Sequence, residues 1–168
     1  MAAGLISGIL GAVNGDMVFK QSSFLTDKLH KKIANSKLTV IDDPLLKRGL
    51  SSTPFDGEGI LTYRKPIIEN GVLNTFLYDS YTARKAGVTS TGNGRRSYAS
   101  TPNIGAFNFY VKQGETPFLE MIRSVPKAFL ITRGMGSGVN SVTGEYSRGA
   151  NGMWVENCLL YTSDAADE

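Results

Sequence analysis

The sequence holds almost no imidazole or thiol. Cys158 is the one cysteine and His30 the one histidine in 168 residues. One cysteine excludes an internal disulfide and any Cys-rich metal site, and a reducing compartment is the default. One histidine excludes a zinc site that needs two from the same chain. A Ser-His or Cys-His nucleophile system is equally short of parts. His30 lies among lysines in LTDKLHKKIA, where it reads as a residue on a helix surface. The chain also lacks a long apolar run. Ala2 to Val13 is too short and too rich in glycine to span a bilayer, and without a basic leader it does not read as a signal peptide. No G-x-x-x-x-G-K-[ST] or G-x-S-x-G occurs. Gly134, Gly136 and Gly138 imitate a dinucleotide fingerprint, but no helix pattern or βαβ context follows.

Charge of one sign is scarce as well. The formal net charge is +3, and three acids near the C-terminus (Asp164, Asp167, Glu168) offset part of a mildly basic body. The lysines and arginines are scattered and read mainly as solvated faces, which argues against nucleic acid as a partner. With 41% hydrophobic and 20% charged residues, the chain reads as one ordinary globular domain.

What is abundant is glycine, and it is concentrated. Gly134 to Asn157 (GMGSGVNSVTGEYSRGANGMWVEN) holds six of the nineteen glycines and the only tryptophan. Lys127–Thr132 before it reads as a buried strand, and residues 152–156 read as another. The stretch between them is expected to be a long polar loop carrying Glu145, Ser147 and Arg148. Such loops often carry function, although glycines that serve only turns would look the same.

Upstream, Leu5, Ile6, Ile9, Leu10 and Val13 share one helical stripe. Gly8 and Gly11 in that helix suggest close packing, and Asn14, Gly15 and Asp16 end it. Ser22 and Ser23 can cap a second helix through Phe24, Leu25 and Leu29. Residues 38–41 read as a strand. In SSTPFDGEG (51–59), Asp56 and Glu58 would point the same way from an extended backbone. Close carboxylates can bind a cation, clamp an arginine or share a proton, or simply brace a turn. Residues 60–69 and 72–79 read as strands joined by Asn70-Gly71, the strongest hairpin signal in the chain. A short helix, 81–86, stops at Gly87. Arg95 and Arg96 follow in a polar loop. They can bind a carboxylate or phosphate, or pair with Asp56 and Glu58. Residues 105–111 alternate as a strand. Residues 116–125 read as a helix with Phe118, Met121, Ile122 and Val125 inward. Antiparallel strands with a few short helices define an α+β class.

IDDP (41–44), PFDGEG (54–59), IIENGVLNTFLYDSYTARKAG (67–87), STGNGRR (90–96) and GSGVNSVTGEYSRGANGMWVEN (136–157) stand in this order. Together they resemble the C-terminal domain of the TldD/PmbA family, a bacterial and archaeal cytoplasmic metalloprotease family once described as a modulator of DNA gyrase. VTGEYSRGA followed by WVEN resembles the PmbA (TldE) side. The resemblance implies a domain over 1–157 that lacks the family's N-terminal domain and last strands. Residues 158–168 resemble translated sequencing read-through and are expected to lie outside the domain.

TldD-type members carry His-Glu-x-x-x-His on the helix before a Gly-Asp pair, here Gly15-Asp16. Those positions fall near Ile6, Ser7 and Gly11, none of which can bind zinc or act as a base. The TldD type also uses a cysteine late in the chain, beyond the end of this sequence. The resemblance therefore implies a metal-free cytoplasmic subunit whose zinc-bearing TldD-like partner supplies the chemistry for peptide cleavage. Asp56, Glu58, Arg96, Glu145, Ser147 and Arg148 are the candidates for peptide or partner contact, with no catalytic residue and no metal ligand expected in this chain. Asp56 and Glu58 would order the site or bind Arg148. Two other readings remain: a standalone metal-dependent hydrolase using Asp56, Glu58 and Glu145, and a regulator or nucleic-acid module using Arg95, Arg96 and Arg148.

Overall fold

The computed structural model describes residues 2–136, 138, 140–156 and 159–161, with the backbone alone for 2–5 and 159–161. Helix α1 (Ala2–Ala12) runs into α2 (Gly15–Phe19). The first helix ends before Asn14 as expected, and Asn14 also starts the next one: its side chain accepts from the Asp16 N–H at 2.9 Å. The stripe on α1 is used as expected. Ile6, Ile9 and Leu10 lie against a core built from Ala12, Val13, Leu25, Val40, Ile67, Ile68, Leu73 and Leu77.

The two glycines at this corner have opposite roles. A Cβ on Gly11 would meet nothing within 4 Å, so the expected close packing is absent there. Gly11→Ala is therefore expected to stabilise the fold by about 0.5–1 kcal/mol, the usual helix penalty of glycine, readable in urea denaturation. Gly15 is the close-packed one. Its N–H donates to the Leu77 carbonyl at 2.8 Å, and a Cβ there would run into the Tyr78 ring.

The second helix expected after Ser22 does not form. Ser23 is buried and donates its hydroxyl to the Ala12 carbonyl at 2.6 Å while accepting from Leu25 N–H. That bond ties the segment down as a string of turns, with Leu25 buried and Leu29 exposed. His30 sits in one of these turns at φ 60, not on a helix.

The main sheet has the order β3-β2-β1-β6 and is antiparallel throughout: β1 (Val40–Asp42), β2 (Lys65–Glu69), β3 (Val72–Leu73) and β6 (Phe109–Val111). The strands are shorter than their sequence patterns. The Asn70-Gly71 turn is as expected, with φ 50 and 80 and Ile68 opposite Leu73. Helix α3 (Ser80–Ala86) is capped by Asp79 and stops at Gly87 in the left-handed region, φ 70. A two-stranded ribbon, β4 (Gly94–Arg95) with β5 (Asn103–Ile104), lies between α3 and β6 in the chain.

Helix α4 (Phe118–Arg123) is shorter than expected and buries no residue; Phe118 is 56% exposed. Of the residues expected to face inward, Ile122 is partly covered while Phe118, Met121 and Val125 are exposed. β7 (Lys127–Met135), β8 (Gly149–Glu156) and β9 (Leu159–Tyr161) form a separate antiparallel sheet. β7 is only partly covered, not the buried strand its composition suggests. β9 pairs with β8, Trp154 standing opposite Tyr161.

Candidate functional site

Asp56 and Glu58 do not stand side by side on a strand. Residues 55–61 close a tight turn in which Asp56 N–H donates to the Ile60 carbonyl at 2.8 Å and Phe55 bridges Leu61. The Asp56 carboxylate is buried and fully engaged. Oδ1 accepts from the N–H groups of Glu58 and Ile60, both at 2.9 Å, and Oδ2 accepts from Gly94 N–H at 2.9 Å. Glu58 reaches the other way, accepting from Ser80 N–H at 2.8 Å at the start of α3. The pair thus fastens the 55–61 turn to β4 and α3. Asp56→Ala is expected to cost about 2–3 kcal/mol, since hydrogen bonds to a charged acceptor are lost. Glu58→Gln, which still accepts from Ser80, is expected to stay within about 1 kcal/mol of the parent. Urea denaturation of both variants checks the contrast.

The arginines do not pair with these acids. Arg95 donates from its guanidinium to the Ala106 carbonyl at 2.7 Å and lies over the Phe107 ring at 5.2 Å. Arg96 is exposed, and its stem covers Gly57. Arg148 donates Nε–H to the Gly136 carbonyl at 2.6 Å. The four ion pairs among the described residues are Lys20–Asp16, Arg64–Asp43, Lys65–Asp42 and Lys127–Glu156. None of them joins the candidate residues.

Glu145, Ser147 and Arg148 do share one element. The segment between β7 and β8 continues their hairpin rather than wandering. Ser147 N–H donates to the Gly138 carbonyl at 2.8 Å, and Asn140 N–H to the Glu145 carbonyl at 2.9 Å. The Asn140 side chain caps the tip by accepting from Val142 N–H at 3.0 Å. The backbones at Gly138 and Ser147 are so close that a Cβ on Gly138 would overlap the Ser147 carbonyl. The tip is also anchored to the body: Phe24 N–H donates to the Ser141 carbonyl at 3.1 Å, and Gly144 lies on the Phe24 ring. Ser147 is exposed and Arg148 half-buried. Ser137 and Val139 of this loop lie outside the described residues, as do Asn157, Cys158 and residues 162–168.

The sequence reading missed a buried polar centre. Lys65 is 2% exposed, and Asp42 and Asn93 are 0% exposed. Lys65 Nζ donates to Asn93 Oδ1 at 3.0 Å and stands 3.7 Å from Asp42 Oδ2. Asn93 Nδ2 donates to Asp42 Oδ2 at 2.8 Å, and Phe107 N–H donates to Oδ1 at 2.8 Å. The Lys65 ammonium also lies 4.5 Å from the Tyr63 ring centre. Burial lowers the Lys65 pKa below its ordinary value, against the opposing pull of Asp42 and, more weakly, Asp56. The available signal was a lysine placed directly before the apolar run Pro66–Ile68.

Among the described residues no group of three or more His, Cys, Asp and Glu side chains can hold a metal ion. On α1, Ile6 packs on the core, and Ser7 and Gly11 are exposed. A hydrocarbon, one hydroxyl and a hydrogen do not make a zinc donor set. None of the described helices is long and apolar enough to cross a membrane.

An antiparallel α+β domain with a capped corner at Asn14 and a glycine-rich hairpin at 136–148 defines a recognisable class. The PmbA/TldA metallopeptidase C-terminal domain matches residues 1–161, and the chain belongs to that family. It is 41% identical over 157 residues to the metalloprotease PmbA of Escherichia coli O157:H7, covering 94% of this chain and 33% of that protein. It is 42% identical to the PmbA homologue of Haemophilus influenzae over 158 residues, again 94% and 33% of the two chains. TldE from Thermococcus kodakarensis has the same fold, with TM-score 0.79 and 28% identity over 90% of this chain and 35% of that one. A candidate modulator of DNA gyrase from Bacteroides thetaiotaomicron superposes with TM-score 0.80 at 36% identity, over 93% and 33%. The chain thus spans about a third of the length of the curated relatives it matches.

Proposed function

We infer that this domain belongs to the zinc-free member of a TldD/TldE-like peptidase pair. Its role is to help enclose and hold an extended peptide while a TldD-like subunit supplies the zinc. The observation that carries this reading is the face of α1. Where the zinc-bearing type places its His-Glu-x-x-x-His, this helix presents Ile6, Ser7 and Gly11, and it leads into the matching Gly15-Asp16. Ile6 is committed to the core, and the space beyond Gly11 is open. Such a surface has no group to activate water but leaves room for another chain.

The glycine-rich hairpin supplies the second support. Close backbone packing at Gly138 and Ser147, with an exposed Ser147 and Arg148 beside it, suits contact with peptide main chain or a carboxylate. Arg96 is exposed and makes no ion pair among the described residues, which leaves it available for the same use. Asp56 and Glu58 brace the 55–61 turn against β4 and α3. The expected setting is the cytoplasm. The standalone carboxylate-metal reading is disfavoured because Asp56 spends both oxygens on backbone N–H groups.

The test is hydrolysis of small peptides by the protein that carries this domain, alone and mixed with a His-Glu-x-x-x-His subunit, with and without a chelator. Activity is expected only in the mixture and is lost on chelation. Hydrolysis by the domain-bearing protein alone overturns the reading.

A further inference from the structure

A cavity of about 250 Å³ opens at the corner where α1 meets α2, walled by α2, α3 and the ribbon strand β5. Its lining is uneven in chemistry. Asp16 and Asp79 bring carboxylates, Asn14 and Asn103 bring amides, and Tyr81, Pro102 and Ile104 bring apolar surface. No lysine or arginine lines it.

Asp79 is 5% exposed. Its Oδ1 takes both capping bonds, from the Thr82 N–H at 2.7 Å and hydroxyl at 2.6 Å. Its other oxygen accepts no hydrogen bond among the described residues, although the residue borders the cavity. Asp16 is likewise half used. Oδ2 holds Lys20 at 2.6 Å, and Oδ1 has no partner among the described residues. Neither of these oxygens is sealed from solvent, so a cationic donor entering the cavity can reach each with a charge-assisted hydrogen bond.

We propose that this cavity receives one cationic side chain of a peptide, a lysine or arginine. Its alkyl stem lies along Tyr81, Pro102 and Ile104, and its charged end sits between Asp79 and Asp16. The cavity exceeds the roughly 150 Å³ that holds a benzene-sized guest, which suits one long side chain. Asn14, at the cavity edge, donates its N–H to the Gly11 carbonyl at 3.3 Å, so a peptide crossing the open face of α1 would meet the cavity next. The proposal rests on the peptide-holding reading above and adds a side-chain preference to it.

The experiment follows backbone amide shifts of the 168-residue chain during titration with acetyl-Ala-Lys-Ala-amide. The norleucine and glutamate analogues serve as controls. The lysine peptide is expected to shift Asn14, Thr82 and Asn103 and to bind at least tenfold more tightly than the norleucine peptide. Asp79→Asn keeps a capping oxygen for Thr82 but loses the charge, and it should reduce that preference to less than threefold. Asp16→Asn, at a more exposed position, should reduce it severalfold without touching the cap. Equal binding of the lysine and norleucine peptides, or shifts confined to the 136–148 hairpin, overturns the proposal. The second of these outcomes leaves the peptide-holding role intact. An inactive mixture with the zinc-bearing subunit, alongside normal lysine-peptide binding, rejects the partner role and keeps the cavity.

Discussion

Asp42→Ala is expected to remove about 3–5 kcal/mol of stability, the cost of stranding a buried charge whose partner is deleted. The estimate follows from what Asp42 holds. Lys65, the Asn93 amide and Phe107 N–H all converge on its carboxylate. Alanine leaves an ammonium 2% exposed with one amide oxygen and a tyrosine ring as its remaining neighbours. Against a typical total of about 5–15 kcal/mol, this is a large fraction of the stability.

The loss has a pH signature. The folded-state pKa of Lys65 is already lowered by burial, and removing Asp42 lowers it further. Between that folded value and the ordinary value of 10.5, the unfolded chain binds more protons than the folded one, so stability rises with pH. The deficit of the variant should therefore shrink as pH climbs through this window. Tyr63 and Tyr78 act in the opposite direction. Burial raises both pKa values above 10.0, so they cost stability as pH rises from there. They are present in both proteins, however, and cancel in the difference. Urea denaturation of parent and variant at neutral and alkaline pH reads the effect. A pH-independent difference would show that the ammonium is not the stranded group.

Gly15→Val is expected to cost about 3 kcal/mol, the upper end of ordinary overpacking. The new side chain would be driven into the Tyr78 ring, and even its Cβ would lie 2.7 Å from the Leu77 carbonyl oxygen. Tyr78 is itself buried and cannot swing aside freely. The Gly15 N–H bond to Leu77 and the Asn14–Leu77 bridge would open together. A drop of roughly 6–12 °C in melting temperature is expected for a domain of this size. Calorimetry checks it, and Gly11→Ala, four residues earlier, should move the transition the other way.

Much of the architecture was legible because its signals are local. Asn70-Gly71 demands positive φ at two successive residues, and only a hairpin uses that well. Gly87 ends α3 in the left-handed region through bonds to residues three and four positions back. The failures share one cause. Residues 22–29 and 116–125 both have helical spacing, but spacing records only that an apolar face exists. In the first, Ser23 bonds to Ala12 instead of capping a helix; in the second, α4 is only six residues long and buries none of them fully.

The candidate site divides in the same way. Motif order was enough to indicate the family, and the chemistry of Ile6, Ser7 and Gly11 was enough to show that α1 offers no zinc donors. The grouping of Glu145, Ser147 and Arg148 followed from their nearness in the chain. What those groups touch was not legible. Asp56 meets Gly94 across 38 residues, and Asp42 meets Asn93 across 51. Contacts at such separation depend on how the sheet, ribbon and helices close on one another, and no local pattern encodes that. The sequence alone therefore determined the class of protein and the chemistry of the side chains on α1, because residue identity decides what can ligate. The tertiary structure decided which carboxylates brace the fold and which face a cavity, because burial and the choice of hydrogen-bond partner exist only once the chain has folded.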